Sequence, residues 1–260
     1  MPPSPLLHLV YAGRFLLAFA TLMYGLLCFA FSDFVSGLQP VPAALGARLS
    51  LAWLTGATLV ACAIALTVRR TTTAVALALA AIHALWALVL CLPLVATSRA
   101  LFGLAWIGCF ENIAFAAAFL VLAAVLRDPG ATRGPAVWSA RVAVLARPLY
   151  ASALIVFALS HFKYPDFVAA LVPAWIPAKL AMAWLTGAGH LATGLAVLTG
   201  VAARLACLCH ALMCFTIFAV LHIPRVAADP GNRGEITSMF VALALCGAAL
   251  VFAGRAGRRG

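Results

Sequence analysis

Charge is what this sequence lacks. Asp, Glu, Lys and Arg together make up 9% of its 260 residues, against about 25% in soluble domains. A chain so poor in charge, 66% hydrophobic and with a mean hydropathy of +1.14, cannot hide its apolar surface from water. No Walker motif, GxGxxG context, HExxH or GxSxG occurs, which removes the common nucleotide-binding, zinc-protease and serine-hydrolase readings. CxxC spacings are missing too, so Cys28, Cys62, Cys91, Cys109, Cys207, Cys209, Cys214 and Cys246 read as thiols acting as small core hydrophobes. The formal charge of +11 builds no Lys/Arg block with interleaved aromatics, which argues against nucleic acid as a partner.

What is present is a succession of apolar runs. A bilayer crossing takes about 20 residues, and spans are expected near 12–31, 49–68, 73–94, 101–126, 149–162, 180–199, 202–223 and 236–254. Proline, glycine and arginine punctuate the breaks, among them Pro40 and Pro42, Arg69 and Arg70, Pro173 and Pro177, and Pro224 to Gly234. The spacing predicts an all-α, polytopic integral membrane protein with eight transmembrane helices, the lipid bilayer being its first partner. Trp53, Trp106, Trp138, Trp175 and Trp184 fall near helix ends, as an interfacial belt requires, whereas Trp86 lies deeper.

Basic residues set the expected orientation. With the N-terminus inside, Arg14, Arg69, Arg70, Arg127, Arg133, Arg141, Arg147, Arg204, Arg255, Arg258 and Arg259 are inner, eleven of the seventeen. Arg48, Arg99, Lys163, Lys179, Arg225 and Arg233 are outer. Both termini are therefore expected in the cytoplasm. Arginine outnumbers lysine fifteen to two, a coding bias that points to a bacterial source and an inner-membrane location. The first run has the look of a signal peptide, but its recurrence later in the chain marks it as part of the fold.

That recurrence is an internal repeat. Ala52-Trp53-Leu54-Thr55-Gly56-Ala57 returns as Ala183-Trp184-Leu185-Thr186-Gly187-Ala188, and Asp33-Phe34-Val35 as Asp166-Phe167-Val168. Val41-Pro42 returns as Val172-Pro173, Arg14 as Arg147 and Pro93 as Pro224. Four spans per copy give both copies one orientation, so parallel repeats are expected as two four-helix bundles side by side. Residues 1–128 and 146–260 are the copies, with 129–145 as a cytoplasmic linker. Gly56, Gly187, Gly189 and Gly194 are placed to let helices approach closely.

The run His161-Phe162-Lys163-Tyr164-Pro165-Asp166-Phe167, then Val172-Pro173-Ala174-Trp175-Ile176-Pro177, Trp184-Leu185-Thr186-Gly187 and His222-Ile223-Pro224 resembles a DoxX-family four-helix domain. The resemblance covers nearly all of the second copy and, more faintly, the first. It implies a bacterial inner-membrane protein related to the membrane subunit of thiosulfate:quinone oxidoreductases, with a quinone or other small hydrophobic molecule as ligand and a soluble redox subunit as partner. Where such proteins often carry an acid after the Thr-Gly turn, this chain has His190, and Leu59 in its first copy.

Ionisable residues inside spans are functional candidates because each costs about 2.5–3.5 kcal/mol to insert at a helix centre. Glu111 lies near the midplane of the fourth run and His83 near that of the third. The two are expected to meet in the first copy, with Asn112 adding a hydrogen-bonding group. In the second copy His161, Lys163, His190, His222 and Glu235 are expected to form a polar cavity opening outward. Three histidines can hold zinc, copper or haem iron, but their unequal depths speak against a metal or haem. No catalytic set stands out. The leading functional expectation is an accessory or quinone-associated membrane subunit of a redox system; the alternatives are a small-molecule transporter or channel and a non-catalytic scaffold for a soluble partner.

Overall fold

The computed structural model describes residues 5–127 and 135–256, and within the second stretch no side chains for 135–141 and 143. Asp128, Arg133, Arg258, Arg259 and the side chains of Trp138 and Arg141 thus lie outside the described residues. Nine helices occur among the described residues, with no strand: α1 Pro5–Ala30, α2 Arg48–Thr67, α3 Thr72–Thr97, α4 Leu104–Leu126, α5 Pro135–Lys163, α6 Pro165–Leu171, α7 Lys179–Thr199, α8 Ala203–Ala228 and α9 Arg233–Ala256. All but α6 are long and apolar enough to cross a membrane, so the chain is an all-α protein of polytopic membrane type. The fifth span, expected to be the shortest, has an apolar window of Val144–Lys163. Pro148 sits inside α5, and the helix runs through it and through most of the expected linker.

The repeat is visible in geometry. α3 winds as a π-helix over Trp86–Cys91 and α8 does so over Ile217–His222, at matching places in the two copies. Each π turn is followed, two residues later, by a proline that lacks an N–H and crowds the carbonyl four residues back. Widening the helix relieves this crowding: Leu92 N–H donates to the Ala87 carbonyl and Ile223 N–H to that of Phe218, both five residues back. Ala47 and Ala178, each just before a second-helix start, share a left-handed backbone with φ of 53° and 52°. Arg14 Nη2 donates to the Thr67 carbonyl at the end of α2, and Arg147 Nη2 donates to the Leu198 carbonyl at the matching turn of α7, 2.9 Å away.

The two quartets do not stand apart, which refines the side-by-side expectation. α1 packs against α2 and, most extensively of all, against α9; α5 packs in the same manner against α7 and α4. α1 and α4 of one copy barely touch. The eight spans therefore form a closed ring, with α4 and α9 also meeting across its middle. These two are the most buried spans, with 72% and 78% of their apolar windows inside the protein. The wall they form divides the ring into a first half (α1, α2, α3) and a second half (α5, α7, α8).

Glycine pairs make the closest seams, as expected where helices associate by backbone approach in lipid. A Cβ on Gly13 would lie 2.5 Å from the Gly247 carbonyl oxygen, and one on Gly25 would lie 2.8 Å from that of Gly56. Gly254 lies against Leu6 and Val10, so both described ends are at one end of the ring, called inner below. At the outer end, Asp33 pairs with Arg48 at 2.7 Å and with Arg233 at 3.1 Å, and Arg233 also donates to the Phe34 carbonyl. This ties the loop after α1 to the start of α9. Burial alone would raise the Asp33 pKa, but the Phe34 N–H and the two arginines outweigh it and hold the carboxyl below its ordinary range.

Candidate functional site

Each half of the ring has an outer interior, and the two are built differently. In the first half the space is filled. His83 is buried against Trp86, Phe115 and Phe119, with ring centroids 5.0, 5.4 and 5.7 Å away. Its Nδ1 is 2.8 Å from Asn112 Oδ1, and Asn112 Nδ2 donates to the Leu38 carbonyl at 2.9 Å. The loop between α1 and α2 thus plugs the first half with Leu38, which is fully buried. Polar groups on three separate segments are satisfied by one another, as buried polar groups require.

Glu111 is not part of this set, which corrects the expected His83–Glu111 pair. Consecutive residues on an α-helix point about 100° apart, and α4 lies in the dividing wall. Asn112 therefore faces the first half while Glu111 faces the second. Among the described residues Glu111 makes no hydrogen bond or ion pair; it lines the cavity of the second half.

That cavity has a volume of about 250 Å³. Its walls are mainly apolar, from Ile107, Phe157, Leu171, Ile217, Val241 and Leu245, with α6 laid across its outer side through Phe167 and Val168. Polar groups face in from different helices: Glu111 from α4, His161 from α5, Thr186 and His190 from α7, His222 from α8 and Ser238 from α9. The positions that fill the first half have small or flexible counterparts here, Ile217 for Trp86 and Cys246 for Phe115, so the same ring leaves a space.

The histidines form a graded series. His161 Nδ1 donates to the Phe157 carbonyl at 2.8 Å, which leaves Nε2 of the neutral ring as an acceptor. His161 and His190 lie with ring centroids 5.2 Å apart. Behind His190, His210 Nε2 is 3.0 Å from His190 Nδ1, and Cys214 Sγ lies 3.7 Å from the same His210 nitrogen. Beneath them Leu154 and the stacked pair Tyr150 and Phe252, with centroids 4.1 Å apart, close the inner side. At the mouth His222 Nδ1 donates to Glu235 Oε1 at 2.7 Å, and Arg225 Nε sits 3.0 Å from that oxygen. No group of three or more His, Cys, Asp or Glu among the described residues has metal-holding geometry.

Of the five residues expected in the second half, His161, His190 and His222 line the cavity and Glu235 braces its mouth. Lys163 is exposed at the end of α5 and does not line it. His210 is not evident from the sequence, because its near neighbours Cys207 and Cys209 point to different faces of the helix. The useful spacing is His210 to Cys214, four apart and on one face. His190 and His210 also lie at similar distances from the inner ends of two neighbouring helices, which the span boundaries make readable. No family model, curated protein or solved structure matches this chain.

Proposed function

We propose that this chain is a DoxX-like subunit of a redox system in a bacterial inner membrane, with both termini cytoplasmic, and that its second-half cavity holds the headgroup of a quinone or a similarly small lipophilic ring. The observation that carries the reading is Glu111, an acid with no hydrogen-bond or ion-pair partner among the described residues, in an apolar, membrane-embedded space shared with His161 and His190. Leaving such a group unmatched is costly, and a ligand hydroxyl is a partner that fits.

The cavity's size narrows the ligand. Pockets for drug-sized molecules occupy about 300–1,000 Å³, so about 250 Å³ suits a single ring. Glu111 can accept a hydrogen bond from a hydroquinone hydroxyl, and the free Nε2 of His161 can accept another. The apolar walls suit the ring faces. In this reading a soluble redox partner exchanges electrons with the bound ring, and this chain supplies binding and proton acceptance.

The test is purification of the full chain in mild detergent, followed by mass spectrometry of extracted lipids. Quinone should co-purify with the parent protein and fall about tenfold or more in Ala242→Trp, which fills the cavity, and in Glu111→Leu; a tenfold loss corresponds to about 1.4 kcal/mol of binding. Equal quinone content in parent and in well-folded variants, or none in any of them, rejects the proposal. Transport is the second reading, favoured by the cavity's opening at one end above a closed inner layer. It requires the Tyr150–Phe252 layer to part, which solvent access to Cys207 during turnover would report.

A further inference from the structure

The inner end of the ring holds a pair of small basic crevices made by the same positions of the two copies. The first lies between α1, the turn before α3 and the end of α4, has a volume of about 80 Å³, and is lined by Leu7, Tyr11, Arg14, Arg69, Thr72 and Leu126, among others. The second, about 50 Å³, is lined by Arg147, Gly200, Ala203, Phe252, Arg255 and Ala256, among others. Arg14 matches Arg147, Arg69 matches Gly200 and Thr72 matches Ala203 in the repeat register.

Each crevice is lined by two arginines and, among the described residues, by no acid. The second arginine comes from a different place in each copy: Arg69 stands where the second copy has Gly200, and Arg255 stands where the first has Ala124. The individual residues have diverged while two positive charges remain in each crevice. Arg14 is 5% exposed and its Nε is buried with no hydrogen-bond partner among the described residues, although its Nη2 is engaged by Thr67. A guanidinium with one end fixed on a helix carbonyl and an edge left unsatisfied beside a second arginine is prepared for an anion with several acceptor oxygens.

We infer that these crevices are paired binding sites for a phosphate ester, the headgroup of an anionic lipid in the inner-end leaflet. Leu7 and Leu126 continue the basic lining into apolar surface, which suits a headgroup whose acyl chains run along the helices. Basic pockets between transmembrane helices bind acidic headgroups for the same electrostatic reason. The inference does not depend on the quinone reading, since the crevices lie at the opposite end of the ring from the cavity.

The test is native mass spectrometry of the full chain in detergent, titrated separately with phosphatidylglycerol, phosphatidylcholine and inorganic phosphate. Arg14→Ala also uncaps α2 and can fail to fold, so the main variants are Arg69→Gln and Arg255→Gln, with retained folding checked by circular dichroism. Phosphatidylglycerol should bind the parent with up to two adducts and should weaken about fivefold for each arginine removed. Phosphatidylcholine should bind more weakly and be insensitive to the variants. Inorganic phosphate that binds in an Arg69-dependent way while the anionic lipid does not would keep the anion site but overturn the lipid assignment. Equal binding of both lipids, or adducts unchanged in the double variant, overturns the inference.

Discussion

At the scale of single residues, the contrast between Glu111 and Asn112 organises the interior. Asn112 joins His83 to the Leu38 carbonyl, so Asn112→Leu orphans two buried groups and is expected to cost at least about 1 kcal/mol, read from unfolding in detergent. Glu111→Gln keeps the shape and removes the ionisable carboxyl. It should leave unfolding unchanged within error while altering ligand retention; a large loss of stability would make Glu111 a structural residue. Asp33 gives a pH dependence of definite sign. Its pKa is lower folded than unfolded, so its stabilisation is fully present above the ordinary value near 3.8 and is lost as pH falls through the depressed folded value. Asp33→Asn should flatten the acid limb of the stability curve, and an unchanged acid limb would show that the outer tie contributes nothing. The importance of positions 83, 111 and 112 was legible from their cost in lipid. Their pairing was not, because it depends on which side of α4 each neighbour sits, and that is fixed only when α4 becomes a wall.

At the scale of elements, the π turns of α3 and α8 aim Cys91 and His222 into the two interiors. Pro224→Ala restores an N–H and removes the ring crowding, which lets α8 return to α-helical winding and rotates His222 relative to α9. The expected outcome is loss of a disulfide between His222→Cys and Glu235→Cys that forms readily in the Pro224 background. Cross-linking at equal rates in both would show that the proline does not set the register. The sequence announced these prolines as breaks, and hydropathy marked most span ends to within a few residues, although α1 begins seven residues before its expected start. It did not announce that the helices run through them after a wide turn, since periodicity over six residues does not separate π from α winding. The fifth span was underestimated for a related reason: its expected start at residue 149 directly follows Pro148, which sits inside α5.

For the whole molecule, the duplication was legible in repeated strings such as Ala-Trp-Leu-Thr-Gly-Ala, whereas the exchange of neighbours between copies was not. It depends on glycines far apart in the chain, Gly13 with Gly247 above all, and no local pattern encodes such a match. The exchange predicts that residues 1–128 and 129–260, expressed separately, will each be degraded or aggregate, and that co-expression will restore a complex that co-purifies through a tag on either half. A stable, monodisperse half would contradict the interlocked ring. The α1–α9 seam also constrains biogenesis. α9 leaves the ribosome after the seven other spans, so α1 waits through their synthesis with its tightest contact surface bare. Until α9 is released into the bilayer the nascent first half stays unsealed, and that surface rests against lipid or the insertion machinery.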